Sequence, residues 1–288
     1  MDLPKLDLKR IETLIDLALS EDLAEAGDTT SLSVIPKDIN AKAVLIAKED
    51  LVCCGLKVAE MVFKTLDINA EFKALVKDGD FCKKGTFLAE IHGNAQALLT
   101  AERTALNFIQ RLCGISTISK KYAEAAKASV TTMLDTRKTT PGWRNLEKYA
   151  VACGGSTNHR VGLYDMIMIK DNHRELAGLE GEKGITRSVE RARTMYPDLE
   201  VEVEADTLEE VAEAAEAGAD YIMLDNMTNE QMVEAIEVVN GRAKLEASGG
   251  ITLERIPSIA KIGVDFISVG ALTHSVKASD ISLDITLD

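Results

Sequence analysis

Apolar positions at the start of the chain recur at helical spacing and then give way to short runs. Leu8, Ile11 and Leu14 belong to the first pattern, which predicts a helix over residues 8–24. The later runs predict one helix at 55–66 and three strands at 41–47, 72–76 and 86–91. Strands combined with a helix in this way predict a small α/β sandwich domain at the N-terminus.

Two long helical patterns follow, at 96–112 and 115–128, and Gly114 between them predicts a break. Beyond residue 130, strand-like runs alternate with helical patterns. Strands are predicted at 130–134, 166–169, 200–203, 221–224, 244–246 and 266–269, and helices at 185–195, 207–217, 229–239 and 253–260. Repeated strand-then-helix units predict a parallel sheet with right-handed connections. Six or seven strands are visible, and the domain boundary is placed between residues 113 and 114.

The amino-acid composition limits the classes of protein to which the chain can belong. The 288 residues are 46% hydrophobic and 28% charged, which is ordinary for a globular protein. No apolar run approaches ~20 residues, so a membrane span is not expected. The five cysteines are odd in number and form no C-x-x-C pair, so neither a disulfide framework nor a zinc cluster is expected. We therefore expect a cytoplasmic protein.

The distribution of charge suggests an anionic ligand. A net charge of −14 argues against nucleic acid as a partner. Between residues 135 and 174, however, cations outnumber anions. A local cationic cleft can attract an anion whatever the net charge of the protein.

Three polar blocks carry four of the cations of this segment. They are residues 135–142 (DTRKTTPG), 154–160 (GGSTNHR) and 169–173 (IKDNH), and short apolar runs precede the first and the last. Side chains at the C-terminal ends of barrel strands share one mouth. Arg137, Lys138, His159, Arg160 and Lys170 are therefore predicted to hold a ligand with several negative charges. For His159 alone, a core histidine held by hydrogen bonds is the alternative.

Two glycine loops predict a phosphate site. Ser248-Gly249-Gly250 follows a predicted strand and precedes a helix, and Val269-Gly270-Ala271 ends the next strand. Glycines allow backbone N–H groups to approach a phosphate, and α/β barrels commonly use their last two loops for this purpose. The alternative is a pair of ordinary glycine turns.

Carboxylates end two neighbouring strands. Glu202 and Glu204 alternate along one strand and share a face, and Asp225 ends the following strand. Glu204 and Asp225 are predicted to hold Mg²⁺ or ribose hydroxyls. The alternative is a structural network in which these acids pair with Arg137, Lys138 or Lys170.

The same blocks resemble the signature of the quinolinate phosphoribosyltransferase family, roughly D-T-R-K-T-T-P-G, C-G-G-G-x-N-H-R-x-G-L and K-D-N-H. The resemblance extends in order over essentially the whole chain. Further matching blocks are residues 102–107, 202–204, 224–226, 248–250 and 269–271. Departures are Trp143, Ala152 and Ser156, and Ala152 puts one anion contact in doubt.

The resemblance implies an N-terminal α/β sandwich followed by an incomplete, roughly seven-stranded α/β barrel over 114–271, with the tail 272–288 packing back on residues 1–113. It implies transfer of phosphoribosyl from phosphoribosyl pyrophosphate to quinolinate, with loss of CO₂ and with Mg²⁺ as cofactor. It also implies a homodimer, or a higher oligomer, in which Arg103 reaches the partner's site.

Specific roles follow for the site residues. Arg137, Arg160 and Arg103, with His159, are expected to grip the two carboxylates of quinolinate, because arginine forms bidentate pairs. Lys138 and Lys170 are expected to hold pyrophosphate, and Glu204 or Asp225 to stabilise the ribose cation. Thr136 and the two glycine loops complete the predicted substrate site.

Three other interpretations remain at this point. The chain could be a phosphoribosyltransferase with a different acceptor, a Schiff-base lyase that uses Lys170, or a non-catalytic module that binds a phosphate ligand. Sequence also leaves open whether the 175–184 loop closes over the site.

Overall fold

The structure is a computed structural model that describes residues 3–179 and 183–287. It contains two compact units. The first comprises the chain up to Lys120, the segment Thr139–Gly155 and the chain from Leu272 onward, and the second comprises Lys121–Lys138 and Ser156–Ala271. This division differs from the boundary predicted between residues 113 and 114. Part of the predicted 175–184 loop, residues 180–182, lies outside the described residues.

Helices and strands alternate along most of the chain. Up to residue 126 they are α1 (Leu8–Leu23), α2 (Thr29–Val34), β1 (Asn40–Ala47), β2 (Leu51–Val52), α3 (Leu56–Leu66), β3 (Glu71–Ala74), β4 (Phe81–Cys82), β5 (Phe87–Asn94) and α4 (Ala95–Ala126). From there they are β6 (Thr132–Leu134), α5 (Arg144–Cys153), β7 (Ile167–Ile169), α6 (Asp171–Leu176), α7 (Gly184–Met195), β8 (Val201–Ala205), α8 (Leu208–Glu216), β9 (Tyr221–Asp225), α9 (Asn229–Val239), β10 (Lys244–Ser248), α10 (Ile256–Ile262), β11 (Phe266–Ser268), α11 (Ala271–His274) and β12 (Ile281–Leu287).

The first unit contains a four-stranded antiparallel sheet in the order β12-β1-β5-β3 and a short β2-β4 pair. Strand β1 buries alternate residues, as expected for a sheet with one covered face. The C-terminal strand β12 pairs with β1 in register, with Ala41 opposite Leu287. The predicted helices and strands of this region are confirmed to within a few residues, whereas the short helices α2 and α5 were not predicted.

The predicted break at Gly114 is wrong, because α4 continues through it. A Cβ atom at this position would lie 2.3 Å from the carbonyl oxygen of Lys277. The glycine therefore allows a close approach between the helix and the C-terminal segment. It interrupts the sequence pattern without interrupting the helix.

The second unit is built on a six-stranded parallel sheet in the order β6-β11-β10-β9-β8-β7. All six predicted strands, and the helices α7 to α10, are confirmed with small shifts at their ends. Strands β6 and β7 form the two edges, and the described residues contain no pairing between them. The fold class is therefore confirmed, with an open α/β barrel after an N-terminal sheet domain.

The count of about seven barrel strands is corrected to six within the described ranges. On the edge of β6 that faces away from β11, Thr157 forms a single parallel bridge with Leu134. The bridge does not extend, because the backbone N–H of His159 turns to a side chain and donates to the carboxylate of Asp135 at 2.8 Å. The side-chain amide of Asn158 donates to the same carboxylate, also at 2.8 Å.

Each inner strand presents different chemistry on its two faces. In β8, Val201, Val203 and Ala205 are fully buried, and Glu202 and Glu204 occupy the opposite face. The sheet thus turns a row of polar side chains toward the inside of the open barrel. No helix among the described residues is long and apolar enough to span a membrane.

Candidate active site

A cavity of about 470 Å³ lies in the second unit, at the C-terminal ends of the parallel strands. Its lining is mostly polar and charged. The lining residues are Thr136, Arg137, Lys138, His159, Arg160, Met168, Lys170, Glu204, Met223, Asp225, Glu246, Ser248 and Ser268. Many predicted site residues are therefore brought together from separate strand ends, the place where α/β barrels hold their active sites.

Strand register explains how three strands contribute to one wall. Met223 on β9 lies opposite Glu204 on β8 and opposite Glu246 on β10. One step further along, Asp225 lies opposite Ser248. Because side chains alternate along a strand, both sets point to the same face.

The loop after β6 is held by a buried carboxylate. Asp135 is fully buried and binds the segment that carries Asn158 and His159. Next to it, the backbone N–H of Lys138 donates to the hydroxyl of Thr136 at 3.1 Å. These contacts position Arg137 and Lys138 at the cavity.

His159 is the centre of a buried charge cluster. Its Nε2 lies 3.2 Å from the carboxylate of Glu202 and 3.3 Å from that of Glu246, and the three side chains are at most 6% exposed. Its Nδ1 accepts a hydrogen bond from the N–H of Arg160 at 2.7 Å, which places a ring proton on Nε2, toward the acids. Both ring nitrogens of this predicted ligand residue thus contact protein groups, as in the alternative of a tethered histidine.

The cluster holds protons strongly. Burial lowers the pKa of His159, but hydrogen bonds and charges from Glu202 and Glu246 outweigh it and raise the pKa to about 10. Burial and the charge of Glu246 raise the pKa of Glu202. The raised pKa of His159 means that the site keeps a proton that a free imidazole would release. Because Nδ1 already accepts a hydrogen bond, this proton is shared among His159, Glu202 and Glu246 rather than held by the histidine alone. The other oxygens of these carboxylates, Oε1 of Glu202 and Oε1 of Glu246, lack a hydrogen-bond partner within the described residues.

Sequence reasoning did not include Glu246 in the site. The available signal was its position two residues before Ser248, which places both side chains on the same face of β10. Ser268 was missed as well. Its hydroxyl is buried, lines the cavity and has no hydrogen-bond partner in the described part of the chain.

Two arginines crowd one part of the cavity. Burial lowers the pKa of Arg160, and the neighbouring charge of Arg137 lowers it further. The guanidinium of Arg160 donates from Nη1 to the carbonyl of Met166 at 3.0 Å, which fixes its orientation. Two adjacent guanidinium groups form a site that a ligand with more than one carboxylate would neutralise.

A lysine and a glutamate form an ion pair between the ends of the neighbouring strands β7 and β8. Lys170 follows β7, and its Nζ pairs with the carboxylate of Glu204 on β8. This contact is the network arrangement that sequence had left as an alternative for the acids. Asp225 accepts a hydrogen bond from the side-chain amide of Asn226 at 2.8 Å.

Several predicted site residues do not line this cavity. Gly249 and Gly250 have positive φ angles of 83° and 57°, and they line a neighbouring depression of about 550 Å³ together with Arg255. Within the described ranges, residues 269–271 line neither space; the N–H of Val269 donates to Leu134 O at 3.0 Å, and Ala271 begins α11. Arg103 is exposed on α4 in the first unit.

Fold and cavity together define a class of protein. An open α/β barrel with cations and carboxylates at its C-terminal strand ends is the architecture of an enzyme that acts on small anionic substrates.

Comparison with known proteins specifies the family. Residues 28–113 match the N-terminal domain of quinolinate phosphoribosyl transferase, and residues 115–284 match its C-terminal domain. The chain therefore belongs to the quinolinate phosphoribosyl transferase family, as the sequence resemblance had indicated.

Individual relatives agree with this assignment. The chain is 45% identical over 298 residues to the chloroplastic nicotinate-nucleotide pyrophosphorylase (carboxylating) of Arabidopsis thaliana, covering 98% of this chain and 84% of the relative. It is 43% identical to the probable enzyme of the same name from Bacillus subtilis, covering 96% and 94%. The solved structure of NadC from Streptococcus pyogenes superposes with a TM-score of 0.93 at 39% identity, covering 99% of both chains.

Proposed function

We propose that this chain catalyses transfer of a phosphoribosyl group from phosphoribosyl pyrophosphate to quinolinate, followed by decarboxylation. The products are nicotinate mononucleotide, pyrophosphate and CO₂. The observation that carries the proposal is the adjacent pair of guanidinium groups, Arg137 and Arg160, in a cavity that also contains Glu204 and Asp225. Relatives named nicotinate-nucleotide pyrophosphorylase (carboxylating) support the same reaction.

The first step is a displacement at the ribose. The pyridine nitrogen of quinolinate bonds to the anomeric carbon while the bond from that carbon to pyrophosphate breaks, so positive charge develops on the sugar. Carboxylates in a cavity stabilise such a charge without further reorganisation. Glu204 and Asp225 are the acids proposed for this role. The proposed reaction needs no covalent intermediate between the protein and a substrate. Positioning of the two substrates supplies much of the rate acceleration.

The second step follows from the chemistry of the substrate. Once the pyridine nitrogen carries the ribosyl group, it can accept the electron pair released when the adjacent carboxylate leaves as CO₂. The carbon that loses the carboxylate then takes up a proton. We propose that Arg137 and Arg160 hold the carboxylate that remains.

The lysines are assigned to the other substrate. Lysine is a compact point charge suited to phosphate oxygens, whereas arginine forms a planar fork suited to carboxylates. We therefore assign Lys138 and Lys170 to the pyrophosphate group. Ser248, Gly249 and Gly250, with residues 269–271, are proposed to bind the 5′-phosphate, and the positive φ angles of the two glycines support a backbone that can approach it closely.

Mg²⁺ is proposed as the cofactor. Glu204 and Asp225 supply the carboxylate oxygens that this hard cation prefers, and both face the cavity. When bound, Mg²⁺ would neutralise charge on the departing pyrophosphate. Because Glu204 already pairs with Lys170, its carboxylate has to be shared with, or released from, the lysine when the cation binds.

A shared active site is the proposed assembly. Arg103 is exposed on α4 and, among the described residues, does not line the cavity of the second unit. A homodimer in which Arg103 enters the cavity of the partner would use this exposed cation, and a higher oligomer could contain such dimers. The proposed compartment is the cytoplasm, and five unpaired cysteines support a reducing environment.

A Schiff-base lyase fits the site less well. Such an enzyme needs a neutral lysine, usually in an apolar pocket. Lys170 instead lines a polar cavity and contacts the carboxylate of Glu204. Borohydride trapping with carbonyl substrates would detect a Schiff base if this assignment were wrong.

An acceptor comparison tests the proposed reaction. The protein is incubated with phosphoribosyl pyrophosphate and Mg²⁺, and either quinolinate or nicotinate is supplied. We expect nicotinate mononucleotide from quinolinate with at least about tenfold higher kcat/KM, because nicotinate leaves one cationic group without a carboxylate. Equal or better use of nicotinate would overturn the assignment of the acceptor.

A further inference from the structure

The five cysteines of the chain come together in the first unit. All five are free and buried, although the sequence spreads them over positions 53, 54, 82, 113 and 153. The thiol of Cys53 lies beside those of Cys82 and Cys113, and the thiol of Cys54 lies beside that of Cys153. The backbone N–H of Cys54 also donates to the sulfur of Cys113 at 3.2 Å.

One part of this cysteine cluster includes a carboxylate. The sulfurs of Cys54 and Cys153 and a carboxylate oxygen of Asp78 all lie within 4.8 Å of one another. Cys54 has no exposed surface, Cys153 is 8% exposed, and Asp78 is half-buried. Two soft donors and one hard donor therefore converge, and Asp78 connects the group to solvent.

Separate elements hold the three donors in place. Cys54 directly precedes the Gly55 N-cap of α3, Asp78 lies in the turn between β3 and β4, and Cys153 ends α5. The turn is fixed to the first segment, since Gly79 N–H donates to Cys53 O at 2.8 Å. Cys153 is followed by Gly154, where a Cβ atom would lie only 2.4 Å from Ser116 O.

Asp78 is oriented by hydrogen bonds on both of its oxygens. Oδ1 accepts from the N–H groups of Gly55 and Leu56, at 3.0 and 3.2 Å, and Oδ2 accepts from the hydroxyl of Tyr149 at 2.9 Å. Metal-binding carboxylates are typically held by hydrogen bonds of this kind.

We propose that Cys54, Asp78 and Cys153 form a binding site for a thiophilic divalent cation of the Zn²⁺ class. Two thiolates and one carboxylate belong to the donor types that Zn²⁺ binds, and a fourth position can be taken by water. Soft thiolate ligands also select against Mg²⁺, so the proposed site is independent of the one that contains Glu204 and Asp225. The usual alternative is that buried cysteines act only as small apolar side chains.

Cobalt provides a direct test, because thiolate coordination to Co²⁺ gives charge-transfer absorption. The reduced, metal-free full chain is titrated with Co²⁺ alone. We expect one thiolate-bound Co²⁺ per chain, release of protons on binding, and loss of the absorption when Zn²⁺ is added. Cys54→Ala and Cys153→Ala should each abolish the absorption, and Tyr149→Phe should weaken Co²⁺ binding by roughly tenfold.

Two control variants separate this site from its surroundings. Cys82→Ala removes a buried thiol that is not one of the three donors, and Asp225→Asn alters the proposed magnesium site. Both should keep the thiolate-to-cobalt absorption. Absorption that survives unchanged in either Cys54→Ala or Cys153→Ala, or its complete absence in the wild-type chain, would overturn the proposal.

A measurement on the wild-type chain avoids dependence on the folding of variants. X-ray absorption at the zinc edge counts the sulfur ligands of Zn²⁺ bound at one equivalent. Two sulfur ligands would support the proposed site. A shell of only nitrogen and oxygen, or no retained Zn²⁺, would contradict it.

Discussion

The Nε2 atom of His159 lies 3.3 Å from the carboxylate of Glu246, and both side chains are almost completely buried beside the cavity. Glu202 makes a second contact with the same nitrogen. Two buried carboxylates share one imidazole, so the cluster of the three groups binds a proton tightly and the orientation of the ring is fixed. The cluster ties the segment after Thr157 to strands β8 and β10.

Stability should therefore depend on pH through His159. Its folded pKa of about 10 lies above the ordinary value of 6.5, so the folded state binds a proton that the unfolded state releases between these values. This contribution is complete below pH 6.5 and is lost as the pH rises through 10. We expect a loss on the order of a few kcal/mol in the free energy of unfolding. Urea denaturation at pH 6 and pH 10 measures it.

His159→Gln provides the matched comparison, because it keeps a polar side chain and removes the titration. The difference in unfolding free energy between the two chains should shrink at pH 10. A difference that does not change with pH would contradict a shared proton in this cluster.

The two arginines should matter more for one substrate than for the other. Arg137→Ala and Arg160→Ala are expected to raise KM for quinolinate by at least about 30-fold, because each removes a charged partner from a desolvated carboxylate. KM for phosphoribosyl pyrophosphate should change by less than about threefold, a ratio within ordinary context effects. Arg137→Lys retains the charge but loses the planar fork, and should give an intermediate effect. Equal losses for both substrates would refute the assigned roles.

Hybrid dimers test the shared site. Arg103→Ala and Lys138→Ala should each be inactive alone, and mixing them with subunit exchange should restore activity. Random mixing makes about half of the dimers hybrid, and each hybrid has one intact site, so about a quarter of the sites are restored. Native mass spectrometry verifies the exchange. Exchange without recovery would show that Arg103 does not act across an interface.

Gly114→Ala is expected to destabilise the protein even though it lies inside a helix. Alanine normally stabilises a helix interior by about 0.5–1 kcal/mol relative to glycine. Here the added Cβ would approach Lys277 O to 2.3 Å, and overpacking of this kind costs roughly 1–3 kcal/mol. Thermal unfolding measures the sign, and a higher melting temperature would contradict the packing of α4 against the C-terminal segment.

Sequence was most informative where local pattern determines position. Alternation along strands and the shared direction of parallel strand ends placed Arg137, Lys170, Glu204 and Asp225 around one cavity. Prediction from sequence failed where a contact between residues far apart in the chain determines the structure. Gly114 signalled a break because its partner, Lys277, is far along the chain.

The same limit applies to the buried clusters. Cys54, Asp78 and Cys153 have no metal-binding spacing in the sequence, yet the fold of the first unit brings their donor atoms together. Glu246 was missed as a site residue because its role depends on His159, which approaches it from another segment. Neither relationship produces a local pattern.

The most direct test of the central claim is release of CO₂ from quinolinate labelled in the carboxyl group next to the ring nitrogen. We expect release only when quinolinate, phosphoribosyl pyrophosphate and Mg²⁺ are all present, with one nicotinate mononucleotide formed for each CO₂. Removal of Mg²⁺ with a chelator should stop both products together. Release without phosphoribosyl pyrophosphate, or nucleotide formation without CO₂, would contradict the proposed reaction.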